Sequence, residues 1–206
     1  MSEILEWPVS LIPNKMSWQL AGNNTGFTSP FTGDEQVVEF PGSRWVVSLQ
    51  FENVKEASAL SLETLIWSLN GMAGRIKLWD FAAGYLSSPR IAQGAPVVAA
   101  ASQQGRVMTT RGWLPDVTVL RMGDWFEVNG ELKRVTANCV SDGVGNATLH
   151  FTPMLRRAPP AGTPLIVDRP SGTFRLQDDK QGEFSRERKR TIRSAVTLNF
   201  SETWST

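Results

Sequence analysis

The chain has little of what most enzyme chemistry uses. Its 206 residues include one cysteine, one histidine and one tyrosine. A lone Cys139 forbids an internal disulfide, and without a Cys/His cluster no zinc site of three or four protein ligands can be drawn. An excess of one charge is also missing. The 21 basic and 20 acidic side chains leave a formal net charge of +1, too small for a global field that would hold nucleic acid or an anionic membrane. No apolar run reaches the roughly eighteen residues of a membrane-spanning helix, and the first residues lack the basic start and apolar stretch of a secretory signal. These absences lead to the expectation of a soluble protein made and kept in a reducing cytosol.

What is present is an apolar share of 41%, enough to bury a core, together with 17 glycines and 12 prolines scattered along the chain. Scattered breakers imply short elements and many turns. Residues 45–52 alternate, with Trp45, Val47, Leu49 and Phe51 on one face, as a half-buried strand requires. Leu62, Leu65, Ile66, Leu69 and Met72 then recur at helical spacing within 58–72, with Ser58 or Ser61 placed to cap and Gly71 to stop. Residues 75–81 alternate again. The order strand, helix, strand predicts one helix on a mixed sheet.

From Gly84 the texture changes, and a boundary is placed there. Short strand candidates follow at 106–110, 117–120, 125–128, 132–137, 147–151 and 165–167, a spacing that suits a small barrel. Asn129-Gly130 signals a hairpin. A two-residue loop would set Val128 opposite Glu131, whereas a three-residue loop would pair Val128 with Leu132 and Glu127 with Lys133. Side-chain pairing favours the second. A polar stretch at 177–190 leads to a final alternating run at 192–200, in which Ile192, Ser194, Val196, Leu198 and Phe200 share a face. Net charge is −4 over 1–83, +3 over 84–172 and +2 over 173–206.

Candidate chemistry is sparse. His150 sits between Leu149 and Phe151 on the opposite face, and without a second histidine or a nucleophile motif it is expected to be exposed and structural. Cys139 reads as a small apolar filler. Asp34-Glu35 and Asp178-Asp179 are adjacent acids, which a strand would point oppositely, so neither pair predicts acid–base catalysis. No glycine-rich phosphate loop is found. No catalytic, cofactor or metal residue is assigned, and the chain is not expected to be an enzyme. The basic run at 186–193, with Arg186, Arg188 and Arg190, is broken by acids and lacks stacking aromatics, so it suits a protein contact better than specific nucleic-acid binding. Trp7, Trp18 and Trp204, near the termini, are candidate interface anchors, and Trp113 and Trp125 are candidate ligand contacts.

Ser61-Leu62-Glu63-Thr64-Leu65-Ile66-Trp67 and Gly74-Arg75-Ile76-Lys77-Leu78-Trp79-Asp80-Phe81 are followed by Gly123-Asp124-Trp125-Phe126-Glu127-Val128-Asn129-Gly130-Glu131-Leu132-Lys133-Arg134-Val135 and by Asn146 to Pro153 with Met154-Leu155-Arg156. In this order they resemble phage distal tail proteins. The resemblance assigns the first two motifs to a belt domain and the others to an inserted barrel. It implies a mainly β (α+β) fold: a tail-tube-like split β-barrel or sandwich with one packed helix, formed by 1–83 and 173–206, plus a small barrel like the oligonucleotide/oligosaccharide-binding fold inserted at 84–172. It further implies a virion structural protein of the tail tip, assembled in the host cytoplasm. There it would form a hexameric ring between the tail tube protein and the distal hub that carries the receptor-binding apparatus, with no cofactor and no membrane partner. A tail-tube or adaptor subunit, and a carbohydrate-binding module acting through the inserted barrel, are the alternative readings.

Overall fold

The computed structural model describes residues 3–82, 94–184 and 196–204. The chain is mainly β with one α-helix among the described residues. It divides into two compact units: described residues 3–19, 45–82, 169–184 and 196–204 make the first, and 20–44 with 94–168 make the second.

The first unit is a six-stranded mixed sheet with one helix. Its strands are β1 (Ile4–Glu6), β2 (Lys15–Ala21), β5 (Arg44–Phe51), β6 (Arg75–Trp79), β15 (Ser171–Leu176) and β16 (Val196–Glu202), in the order β1-β6-β15-β16-β5-β2. β1 lies parallel to β6, and the pairings of β6 with β15, β15 with β16 and β16 with β5 are antiparallel. The alternation at 45–51 does what period two demands: Trp45, Val47, Leu49 and Phe51 are buried while their neighbours are partly exposed. Val196, Leu198 and Phe200 of β16 are buried beside them. The returning strand at 192–200 is therefore found from Val196 onward, and its earlier part lies outside the described residues.

Helix α1 (Glu56–Ser68) joins β5 to β6 and buries Ala59, Leu62, Glu63 and Ile66. It starts before Ser58, so the expected serine caps are not used. Lys55 is the capping residue, and Ser61 donates instead to the Ala57 carbonyl within the helix. Glu56 in the first turn suits the positive end of the helix. The stop comes at Asn70, whose φ of 50° leaves the right-handed region one residue before Gly71. A 3-10 turn, Gly71–Ala73, follows.

The second unit contains a six-stranded antiparallel sheet: β7 (Gly94–Val98), β8 (Val107–Trp113), β10 (Trp125–Val128), β11 (Glu131–Val135), β13 (Asn146–Thr152) and β14 (Leu165–Ile166), in the order β14-β10-β11-β13-β8-β7. Its two edges meet. Val97 bridges to Pro164, and Val98 N donates to Thr163 O at 2.9 Å, so the sheet is nearly closed into a barrel. A short ribbon of β9 (Thr118–Leu120) and β12 (Cys139–Val140) accompanies it. Met108, Trp113, Phe126, Val128, Leu149 and Phe151 are among the side chains that fill the interior. β7 has no counterpart among the strand candidates read from the sequence, which begin at 106.

The same unit holds a separate two-stranded ribbon, β3 (Asn24–Thr28) and β4 (Glu35–Glu39). Arg106 of the barrel is ion-paired with Glu39, and Arg156 Nη2 donates to Ser43 O at 3.2 Å. These bonds explain why 20–44 groups with the barrel, although the sequence reading placed it in the belt domain with the rest of 1–83.

Candidate functional site

The Asn129-Gly130 turn is tighter than expected. Val128 pairs with Glu131 and Phe126 with Lys133, a two-residue loop, so the favoured three-residue register is incorrect. Both turn residues have positive φ, 51° and 75°, which defines the hairpin turn whose twist matches the strands. The consequence reaches the interior. Residues directly opposite each other share a face, so Glu131 and Lys133 lie on the same side as Phe126 and Val128, inside the barrel.

There the two form a buried ion pair. Lys133 Nζ lies 2.6 Å from Glu131 Oε2 and donates to Met154 O at 2.9 Å, and Lys133 is fully buried. The Glu131 carboxylate also accepts the backbone N–H groups of Arg156 and Arg157 at 3.1 and 3.2 Å. Two strand residues thereby fasten the segment around Met154 to Arg157, the same segment whose Arg156 reaches Ser43. This arrangement secures a loop; it presents no nucleophile and no open ligand position.

The aromatic candidates divide differently from the expectation. Trp113 and Trp125 are buried, which removes them as exposed stacking platforms. Trp113 belongs to the barrel core and its Nε1 donates to Thr110 Oγ1 at 2.7 Å. Trp125 lies beneath the Arg134 guanidinium, 4.9 Å from its ring centre. Trp7 is likewise a core residue rather than an interface anchor: its Nε1 donates to Leu11 O at 2.7 Å, and Phe51, Phe81 and Phe200 surround it at 5.8 to 6.2 Å. Trp113 and Trp7 each have a polar partner for the indole N–H, which is what allows full burial. Trp18 is half-buried, edge-on to Trp45 and Phe174. Trp204 is 39% exposed. Arg186, Arg188 and Arg190 lie outside the described residues.

His150 is exposed, as alternation predicts, and Cys139 is buried, as a small apolar filler would be. Burial pushes the Cys139 thiol up from its ordinary value, and its Sγ donates to Thr148 O at 3.2 Å. Both line a shallow groove of about 610 Å³ with Thr109, Asn138, Ser141 and Thr148. Much of the groove's polar chemistry is already engaged within the fold: Asn138 Oδ1 accepts Met122 N–H, Thr109 Oγ1 donates to Gln103, and Ser141 Oγ donates to Leu114 O. Asp142 at its rim holds a turn, accepting the N–H groups of Val144 and Asn146. The backbone and side chain of Asn146, bonded to this carboxylate, lower its pKa. The acidic pairs are turn elements as well. Asp179 accepts Met72 N–H and Asp178 accepts Lys180 N–H, while Asp34 and Glu35 stand at the exposed end of the ribbon.

That ribbon is the feature the sequence reading missed. Phe27 is 59% exposed and Phe31, in the connecting turn, 94%. The turn is well defined: Ser29 N donates to Asp34 O at 2.8 Å, Gly33 N to Ser29 O at 3.0 Å, and Ser29 Oγ accepts from Phe31 and Thr32. The available signal was Ser-Pro-Phe-Thr-Gly-Asp, a cluster of turn formers between Thr25-Gly26-Phe27 and Gln36-Val37-Val38. Among the described residues no three His, Cys, Asp or Glu side chains are placed to hold a metal, and no helix is long and apolar enough to cross a membrane.

No protein-family model matches the chain, and no curated protein matches it.

Proposed function

We propose that the protein is a structural component of a phage tail tip, a ring subunit joining the tail tube to the distal hub. The observation that carries this reading is the discontinuous first unit. Strands from the N-terminal part, β1, β2, β5 and β6, share one sheet with β15 and β16 from the C-terminal part, and the barrel is formed by chain lying between β6 and β15. That is the route the resemblance implies for a belt domain with an inserted barrel. An open six-stranded sheet has two edges, and rotational assembly of heterologous contacts is one way to satisfy such edges. The barrel then acts as a docking module toward the hub.

Imaging of assembled tails with an antibody against the chain tests the proposal. Label in a ring at the distal end of the tube is expected; particles whose tips lack the protein overturn it.

A further inference from the structure

We infer that the groove beside strands β8 and β13 is a binding site for an uncharged saccharide. The site stands apart from the ring reading and uses neither Trp113 nor Trp125 as a contact.

The floor of the groove is fixed. Thr110, Cys139, Ser141 and Ala147 line it from buried positions. Thr110 Oγ1 accepts the Trp113 indole N–H at 2.7 Å and donates to Ala147 O at 2.8 Å, and Ser141 Oγ donates to Leu114 O. Internal bonds also set what the exposed lining can offer. Asn138 Oδ1 accepts Met122 N–H at 2.9 Å, so the side chain is left with its two N–H donors. Gln103 is held through both atoms of its amide: Nε2 donates to Ala100 O and Thr109 O, while Oε1 accepts Thr109 N–H and the Thr109 hydroxyl. With its proton so used, Thr109 Oγ1 offers lone pairs. Thr148 stands directly opposite Thr109 on the neighbouring strand, and His150 follows two residues along on the same face. Neither the Thr148 hydroxyl nor the His150 ring bonds to another described residue. A fixed donor, a fixed acceptor and two groups able to act as either thus line one groove.

Charge and bonding capacity select the ligand. No lysine or arginine lines the groove, so an anion gains no partner there. Its one carboxylate, Asp142, already accepts the N–H groups of Val144 and Asn146 and the Asn146 amide, which leaves a cation little to bind. Apart from Asp142 and Val140, the exposed lining side chains carry hydroxyl, amide or imidazole groups, and an apolar molecule would strip them of water without replacing its bonds. A peptide is taken up along a free strand edge, whereas the outward face of β8 and β13 presents side chains. What fits is a neutral molecule whose neighbouring groups each donate and accept, as sugar hydroxyls do. The groove's volume of about 610 Å³ lies within the range of small-molecule sites. Partners already oriented by the fold lose little freedom on binding.

The chain has a single histidine, so its ring resonances report on this groove alone. Nuclear magnetic resonance of the full chain is followed while glucose, galactose, mannose or N-acetylglucosamine is added to about 100 mM, with tetraglycine and sodium sulfate as the contrasting probes. A saturable shift of the His150 signals with at least one sugar is expected, at a Kd of about 1–10 mM for so shallow a site. Asn138→Asp keeps the acceptor for Met122 N–H and loses both donors, and Thr148→Val keeps the branched shape and loses the hydroxyl. Each should weaken binding of that sugar about three- to tenfold at an unchanged thermal midpoint. Should Asn138→Asp alter the midpoint, Thr148→Val decides, because its hydroxyl holds nothing within the described fold. The absence of a saturable shift with any of the sugars overturns the site, as does saturation by tetraglycine or sulfate in their place. A folded variant at either position that binds the sugar as tightly as wild type overturns the site as assigned.

Discussion

Replacing Lys133 by Met removes one half of the ion pair inside the barrel while keeping the length of the side chain. Three groups feel the change. Glu131 loses the ammonium at 2.6 Å but keeps two backbone N–H donors, so its charge is only partly compensated. Met154 O loses a donor at 2.9 Å. Breaking a buried pair from one side costs about 3–5 kcal/mol, and the remaining N–H donors place Glu131 near the lower end, with about 1 kcal/mol more from the carbonyl. Glu131→Gln with Lys133→Met removes both charges and leaves an amide oxygen to accept the Arg156 and Arg157 N–H groups. The double variant should cost only about 1–2 kcal/mol, giving a coupling of at least about 2 kcal/mol. Urea unfolding is the assay: with a slope of about 1–3 kcal/mol per molar, the single variant should lower the midpoint by roughly 1 M or more at unchanged slope. A single variant within about 1 kcal/mol of wild type, or a double variant equal to the sum of the singles, refutes the reasoning.

Three further outcomes follow from the second unit. Gly145 has φ of +80° and an added Cβ would stand 2.3 Å from Trp113 O, whereas Gly123, at φ +91°, has open space. Gly145→Ala should therefore destabilise by at least about 2 kcal/mol more than Gly123→Ala in paired urea titrations. Trp113→Ala should lower stability by about 3–5 kcal/mol, measured the same way, because it empties part of the barrel core; a stable, well-folded variant would contradict that placement. For Cys139 the folded thiol titrates above its unfolded value. Its stabilising contribution is whole below the unfolded pKa near 8.5 and declines as pH rises above it, because the unfolded chain releases the proton first. Urea midpoints at about pH 7.5 and about pH 9.5 should fall further for wild type than for Cys139→Ala.

The elements that were legible in the sequence are those whose two faces meet different surroundings. At 45–51 and 196–200 one face is core and the other is not, so polarity itself records the strand. Trp113 and Trp125 were harder to place because composition says nothing about which side of a strand is covered. All four residues of β10 are buried, and alternation is silent there. The terminal position of Trp7 suggested exposure, yet β1 pairs with the central part of the chain and Trp7 follows it into the core. β2, β3 and β4 escaped notice for the opposite reason: their residues are exposed or only half-buried, leaving little hydrophobic period to read. Turn chemistry at Ser29 to Asp34 was the surviving trace of the ribbon.

The hairpin at Asn129-Gly130 shows how one residue of register decides chemistry. With a three-residue loop, Lys133 would have faced Glu127 across the sheet, on the side away from Phe126. With the two-residue loop it faces Phe126 and enters the barrel. Matching opposite charges favoured the first arrangement, worth a fraction of a kcal/mol to about one at most. The second uses two residues tolerant of positive φ in the turn geometry that suits strand twist, and places both charges of the local Glu131-Leu132-Lys133 pattern on one face. Backbone geometry therefore outweighs the pairing, and the charges follow it inside, where the only way to keep them is to bind each other and the polar backbone at 154–157. An apparently ordinary surface hairpin in the sequence becomes the fastening of the barrel's loop, and through Arg156 that fastening reaches Ser43 at the base of the ribbon.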